Sequence, residues 1–187
     1  GLPRLQPQQQ ATLSGGQADP QAPLLVLGAG TGLGVAIGVP TPQGLQALAS
    51  EGSHAEFAPR SDREWELKTW LTADLGLERL SIERVVSGTG LGHVARWLLA
   101  TRDVSGQHPL QEPARRWLQP HAGGEDLPAD VAKLALDGDD LCCQALDLWL
   151  GAYGSVTGDL ALATLARGGI FLAGGTAAKL TASLASD

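Results

Sequence analysis

At 187 residues, 43% of them hydrophobic, the chain has the size and apolar content of one ordinary domain with its own core. A formal charge of −7 disfavours nucleic acids and anionic membranes as partners, since both repel a net acid. No apolar run reaches transmembrane length, no signal peptide is visible, and the only cysteines are the adjacent Cys142 and Cys143, with no Cys/His spacing for zinc.

Residues 1–22 are rich in Gln, Pro and Gly and read as a linker or tail ahead of a folded domain over 23–187. A chain that begins at Gly1 with no methionine anywhere is expected to be processed or cut. Residues 24–59 predict a β-meander: Leu24–Leu27, a glycine loop over Gly28–Gly34, Val35–Val39 ended by Pro40, then Leu45–Ala49 and Ala55–Ala58. Trp65, Leu67, Trp70 and Leu71 recur at helical spacing, which predicts a helix over Arg63–Asp74. Ser81–Ala100 reads as two short helices parted by a glycine turn at Ser87-Gly88-Thr89-Gly90, and Thr101–Asp126 as the most loop-like internal segment. Helices follow at Asp130–Leu136 and Leu141–Leu165; the second carries the cysteines as core thiols and is closed by Gly168-Gly169. Ile170–Ala173 then predicts a buried strand, Gly174-Gly175 a tight turn and Ala177–Leu184 a last helix.

Three constellations carry chemistry. In the first, Gly28-Ala29-Gly30-Thr31-Gly32-Leu33-Gly34 places four glycines in seven residues between two strands. Such a backbone is free of side chains and tolerates positive φ, so its amides can converge on an anion, with Thr31 as the one hydroxyl donor. The dinucleotide fingerprint fails on register, and the Lys-containing phosphate loop fails because no lysine lies near. A phosphate-cradling hairpin and a ligand-free glycine turn both fit. In the second, Gly174-Gly175 follows a strand and precedes a helix, an arrangement that admits a flat ligand to the backbone but is also a common structural turn. The third joins Glu51-Gly52-Ser53-His54 with Glu83 some thirty residues on: a carboxylate beside an imidazole suits a polyol, while a solvated turn and a helix-capping Glu83 explain the same residues.

In order, Gly28–Gly34, Glu-Gly-Ser-His-Ala-Glu-Phe-Ala-Pro at 51–59, Glu-Arg-Val-Val-Ser-Gly-Thr-Gly-Leu at 83–91 and Gly-Gly-Ile-Phe-Leu-Ala-Gly-Gly at 168–175 resemble the bacterial glucokinase family, from about residue 20 onward. The resemblance implies an α/β, ribonuclease-H-like (actin-like ATPase) domain with a mixed sheet and packed helices, incomplete at both ends. It implies ATP-dependent phosphorylation of glucose to glucose 6-phosphate in the cytoplasm, with Mg²⁺ carried mainly by the nucleotide phosphates, in a family whose members are commonly dimers. On matching positions it implies that Glu51, His54 and Glu83 bind the sugar. Gly28, Gly30, Thr31, Gly32, Gly34, Gly174 and Gly175 would face the nucleotide. Where the family has Gly-Gly-His this chain has Gly52-Ser53-His54, and Ser53 adds a hydroxyl.

The resemblance also implies an Asp-x-Gly-Gly-Thr phosphate loop and an Asn-Asp pair whose aspartate is the catalytic base. Neither motif occurs here, and the chain has no asparagine at all. The expectation is therefore a fragment covering most of the larger, C-terminal domain, with no catalytic residue of its own and no turnover alone. A non-catalytic sugar- or nucleotide-binding module, or another kinase of the actin-like superfamily, are the alternatives.

Overall fold

The computed structural model describes residues 6, 8, 10–102, 108–118 and 126–180. Four strands form one mixed sheet: β1 (Leu24–Ala29), β2 (Leu33–Thr41), β3 (Gly44–Ser50) and β4 (Ile170–Ala173), in the order β3-β2-β1-β4. The first three are an antiparallel meander, and β4 joins β1 in parallel, Leu25 opposite Ile170 and Gly28 opposite Ala173. Along β1 the period of two is clean. Leu25, Leu27 and Ala29 are buried while Leu24, Val26 and Gly28 are half-buried, so one face of the strand belongs to the core.

That face is covered by helices. They are α1 (Asp62–Asp74), α2 (Gly88–Thr101), α3 (Gln111–Arg116), α4 (Leu127–Leu136), α5 (Asp140–Thr164) and α6 (Gly175–Lys179). Side-chain oxygens start most of the longer ones. Ser61 accepts from the Glu64 N–H, Ser87 from Gly90, Asp126 from Ala129 and Asp139 from Cys142, each satisfying an amide that the helix itself cannot. The apolar stripe of α5 packs on β1, α2 and α4. Within it, Trp149 and Tyr153 are fully buried yet keep polar partners: the indole N–H donates to the Ser87 carbonyl at 2.9 Å, and the phenol to the Leu27 carbonyl at 3.5 Å. Ahead of α1, Arg60 clamps the buried Glu64 through its backbone N–H (2.7 Å), its Nε (3.0 Å) and its Nη2.

Several sequence expectations are corrected here. Ala55–Ala58 is not a strand. A 3₁₀ turn over Gly52–His54 takes its place, and Glu56 makes only an isolated antiparallel bridge to Ser81. Ser81–Ala100 holds a 3₁₀ turn (Ile82–Arg84) and a single helix, because capping by Ser87 draws Gly88 and Gly90 into the first turn of α2. A short helix, α3, interrupts the predicted loop over 101–126. Helix α5 closes on Leu165 at φ +46, where the Ala166 N–H reaches back to the Ala161 carbonyl, before Gly168-Gly169 is reached; Gly169 (φ +124) turns the chain into β4 instead. Strand β4 lies at the edge of the sheet and is not buried, Ile170 being 45% exposed. The last helix begins at Gly175, earlier than expected, and residues 181–184 of the predicted span lie outside the described residues.

Candidate functional site

The glycine loop is a β-hairpin, as its flanks predict. Gly28 faces Gly34 and Ala29 faces Leu33 across the pair, and Gly30-Thr31-Gly32 closes it, with the Gly30 N–H donating to the Gly32 carbonyl at 2.9 Å. None of the four glycines is at positive φ, so the conformational argument for them fails. What matters is their missing side chain. A Cβ on Gly32 would stand 2.5 Å from Glu83 Oε2, and one on Gly88 would stand 2.9 Å from the Gly30 carbonyl oxygen. Two other segments, at Glu83 and at Gly88-Thr89, meet the tip through such contacts. The Leu33 N–H donates to Glu83 Oε2 at 2.9 Å, the Gly88 N–H to the Gly30 carbonyl at 2.7 Å, and the Thr89 hydroxyl to the Thr31 carbonyl at 2.8 Å. Thr31 itself is exposed at the apex.

On one side of the hairpin lies the acidic constellation. Residues 55–57 are laced to 80–82 by the Ile82 N–H to the Ala55 carbonyl (2.9 Å) and the Phe57 N–H to the Leu80 carbonyl (2.8 Å). The two 3₁₀ turns therefore pack against one another, bringing the Glu51–His54 segment next to Glu83. His54 Nε2 lies 3.5 Å from Glu51 Oε2, and both side chains are open to solvent at 56% and 89%. Ser53 is buried, so its hydroxyl is not on the exposed face with them. Glu83 does not cap its own turn. One carboxylate oxygen is spent on the hairpin, and the described residues offer Oε1 no partner.

On the other side is a cavity of about 380 Å³. Of the residues expected at a nucleotide, Gly30, Thr31 and Gly175 line it. Gly28 and Gly34 sit instead within the strands opposite one another, Gly32 faces Glu83, and Gly174 (φ +93) is pressed against the backbone of Ala29. Sequence reasoning missed Gly88, Thr89, Trp117, Thr176 and Lys179 on its walls. The Ser87–Gly90 cluster was a visible signal for the first two, read as a spacer between helices. Trp117 and Lys179 carried none, being brought in by α3 and α6. A larger cavity of about 510 Å³ at the far end of the sheet, lined by Asp19, Pro20, Pro40, Pro42 and Leu45, holds none of these groups.

A third cluster was hidden by its spacing. His108, Asp139 and Cys142 place their ligand-type atoms within 4.8 Å of one another. His108 Nδ1 accepts from the Leu110 N–H at 3.1 Å, so Nε2 carries the proton and points it at the Asp139 carboxylate, 3.3 Å away. A metal on Nε2 would require the imidazole to lose that proton while Nδ1 still accepts, which is an imidazolate; the set is a reinforced helix cap. Burial works to raise the Asp139 pKa, but hydrogen bonds from the Cys142 N–H, the Cys142 thiol and His108 outweigh it and hold the carboxyl below its ordinary value. Burial, with Asp139 beside it, pushes the Cys142 thiol far up, so it is inert.

The family model described as Glucokinase matches residues 1–187. Glucokinase of Synechocystis sp. (strain PCC 6803) is 42% identical over 173 residues, which are 90% of this chain and 49% of that protein. Glucokinase of Nostoc sp. (strain PCC 7120) is 38% identical over 184 residues, 96% of this chain and 54% of that one. The chain thus spans about half the length of the curated relatives it matches. Among solved structures, glucokinase from an Antarctic psychrotroph superposes with a TM-score of 0.77 at 30% identity, over 98% of this chain and 51% of that one. Glucokinase from Balamuthia mandrillaris, solved in complex with glucose, gives a TM-score of 0.64 at 22% identity over 88% and 44%, a likeness of fold.

Proposed function

The chain belongs to the glucokinase family, and from that premise we propose that it supplies the glucose- and ATP-binding part of a hexose kinase that makes glucose 6-phosphate, with residues 23–187 in the larger domain and 1–22 as the connection to it. The observation that carries the reading is the contact of Glu83 with the glycine hairpin, Oε2 to the Leu33 N–H at 2.9 Å. One residue of the acidic constellation is thereby fixed to the loop that borders the cavity, so sugar and phosphates are held in register by a single backbone feature. In-line phosphoryl transfer is mostly a matter of positioning and charge neutralisation, and a fixed register is what it requires.

In this reading Glu51, His54 and the unpartnered Oε1 of Glu83 accept from sugar hydroxyls, which costs little desolvation because the ligand supplies the donors. Thr31 and Thr89 stand at the phosphate end of the cavity. Among the described residues Asp126 is the one carboxylate lining the cavity, and its Oδ1 already accepts from the Ala129 N–H. A magnesium ion would therefore be carried mainly by the nucleotide phosphates, where it would supply charge neutralisation. The chain contains no Asn-Asp pair and no Asp-x-Gly-Gly-Thr loop, so the general base comes from elsewhere and the chain alone does not turn over. General-base catalysis is worth about two to four decades of rate.

The test is a chimera that adds the half of the Synechocystis relative which this chain does not match. Glucose-dependent ADP release is expected from the chimera, to be lost with Glu83→Ala, and none is expected from the chain alone. Robust turnover by the chain alone, or a folded chimera whose activity ignores Glu83, would contradict the assignment.

A further inference from the structure

We propose that Trp117 is the wall on which the nucleotide base stacks, so that the cavity selects a nucleoside phosphate over an inorganic polyphosphate as the phosphoryl donor. This rests on the nucleotide-site reading above. The cavity has two chemically different ends. Gly30, Thr31 and Thr89 form a polar end at the hairpin, while Trp117, just after α3, and Ala129 and Ala132 of α4 form an aromatic and aliphatic wall, with Asp126 and Lys179 also on the lining. A volume of about 380 Å³ is within the range of sites that enclose small organic ligands, roughly 300–1,000 Å³. A polyphosphate chain is a polyanion throughout and gains nothing from an apolar wall; a nucleotide has one end of each kind.

The indole is held in place from behind. Its six-membered ring lies on the bare backbone of Gly92 in α2, where a Cβ would come 2.7 Å from Cη2, 3.0 Å from Cζ3 and 3.1 Å from Cζ2. The His93 ring meets it edge-on, with centroids 5.5 Å apart and planes at 69°. The side chain is only half-buried, so aromatic surface remains for the cavity that it lines. A large flat group that is already fixed loses little freedom when a base stacks on it. Stacking is tolerant of base identity, so the indole discriminates between base and no base.

The test measures ADP and inorganic tripolyphosphate binding to the 187-residue chain by calorimetry. Trp117→Ala is expected to weaken ADP about 5- to 100-fold, Trp117→Phe to stay within about threefold of wild type, and tripolyphosphate to be unchanged in both. Gly92→Ala pushes the indole into the cavity and is expected to weaken ADP without altering Trp117 itself. Equal ADP affinity for wild type and a folded Trp117→Ala overturns the role of Trp117 and leaves the nucleotide site standing. If Trp117→Ala does not fold, Gly92→Ala decides, and unchanged ADP affinity there overturns the role equally. Tripolyphosphate binding as tight as ADP to wild type overturns the selection of donor. No ADP binding by wild type overturns the nucleotide-site reading, and this inference with it.

Discussion

Replacing Gly32 by alanine breaks the contact that ties the acidic constellation to the hairpin, and its energetics follow from three distances. The new Cβ would stand 2.5 Å from Glu83 Oε2 and 3.2 Å from Cδ, so the carboxylate must move and the 2.9 Å bond from the Leu33 N–H is lost. A hydrogen bond to a charged group contributes about 1.5–3 kcal/mol. Gly32 is not at positive φ, so alanine adds no backbone strain and stiffens the unfolded chain, a gain of about 0.4–1 kcal/mol. The two opposing effects leave a net loss of roughly 0.5–2.5 kcal/mol. In a Glu83→Ala background there is no carboxylate to displace, and the same Gly32→Ala change becomes stabilising by about 0.4–1 kcal/mol. The sign reversal is the diagnostic. Urea denaturation of the four chains in a double-mutant cycle reads it directly, with an expected coupling of about 1.5–3 kcal/mol. A coupling under about 0.5 kcal/mol would show that Glu83 is not held by the hairpin, and the functional reading would lose its central contact.

Asp139 and His93 set the acid sensitivity of the fold in different ways. The folded-state pKa of Asp139 lies below its ordinary value of 3.8, so its contribution is fully present above that value and lost as pH falls through the folded pKa. Asp139→Ala should lower the urea midpoint at pH 7, by about 1 kcal/mol in unfolding free energy as for other N-caps, and the gap to wild type should narrow below the ordinary aspartate value; a gap that does not depend on pH counts against the ionised cap. His93 is buried with both ring nitrogens unpartnered, and burial, then Arg96 and Arg84, lower its pKa from 6.5 to about 4. The unfolded chain takes up that proton near 6.5 and the folded chain only near 4, so stability falls as pH drops through this window, by about 3 kcal/mol. His93→Leu should flatten the fall, and an unchanged slope of unfolding free energy between pH 7 and 4 would exclude His93 as its source.

The parts of the fold that sequence made legible are those governed by local periodicity. Leu25, Leu27 and Ala29 alternate into the core as a strand should, and the helix predicted from Trp65, Leu67, Trp70 and Leu71 is α1, with Leu67 and Leu71 buried although Trp65 is exposed. The failures share one cause, namely decisions made by tertiary partners. Ala55–Ala58 has strand-like residues, but its backbone groups find Leu80 and Ile82, which offer one bridge and no ladder. Leu165 takes a left-handed conformation that a sequence rule reserves for glycine, so α5 is closed there and not by Gly168-Gly169. At the candidate site the same division holds. Gly30, Thr31 and Gly175 reach the cavity from the segments that suggested them, whereas Trp117 and Lys179 arrive from elements whose placement no local pattern states.

The glycine hairpin shows why a motif can be recognised for an incomplete reason. Its glycines suggested positive φ and converging amides, yet the Gly30 amide is spent on the Gly32 carbonyl and the Leu33 amide on Glu83. What the tip presents to the cavity is Gly30 and the exposed Thr31. The glycines serve mainly to let other chains come close. Gly32 admits a carboxylate, Gly30 turns its carbonyl to the Gly88 N–H, and Thr176 Oγ1 donates to that same carbonyl at 3.4 Å. Gly88 and Gly174 are bare for the complementary reason, since a Cβ on either would strike the backbone of Gly30 or Ala29. Four glycine positions on three segments therefore constrain one another. The hairpin acts as the hub that joins the exposed acidic constellation to the cavity, and a Cβ at Gly32 strikes a movable side chain where one at Gly88 or Gly174 strikes fixed backbone. On that geometry, substitution at Gly32 perturbs the site, and substitution at Gly88 or Gly174 threatens the fold itself.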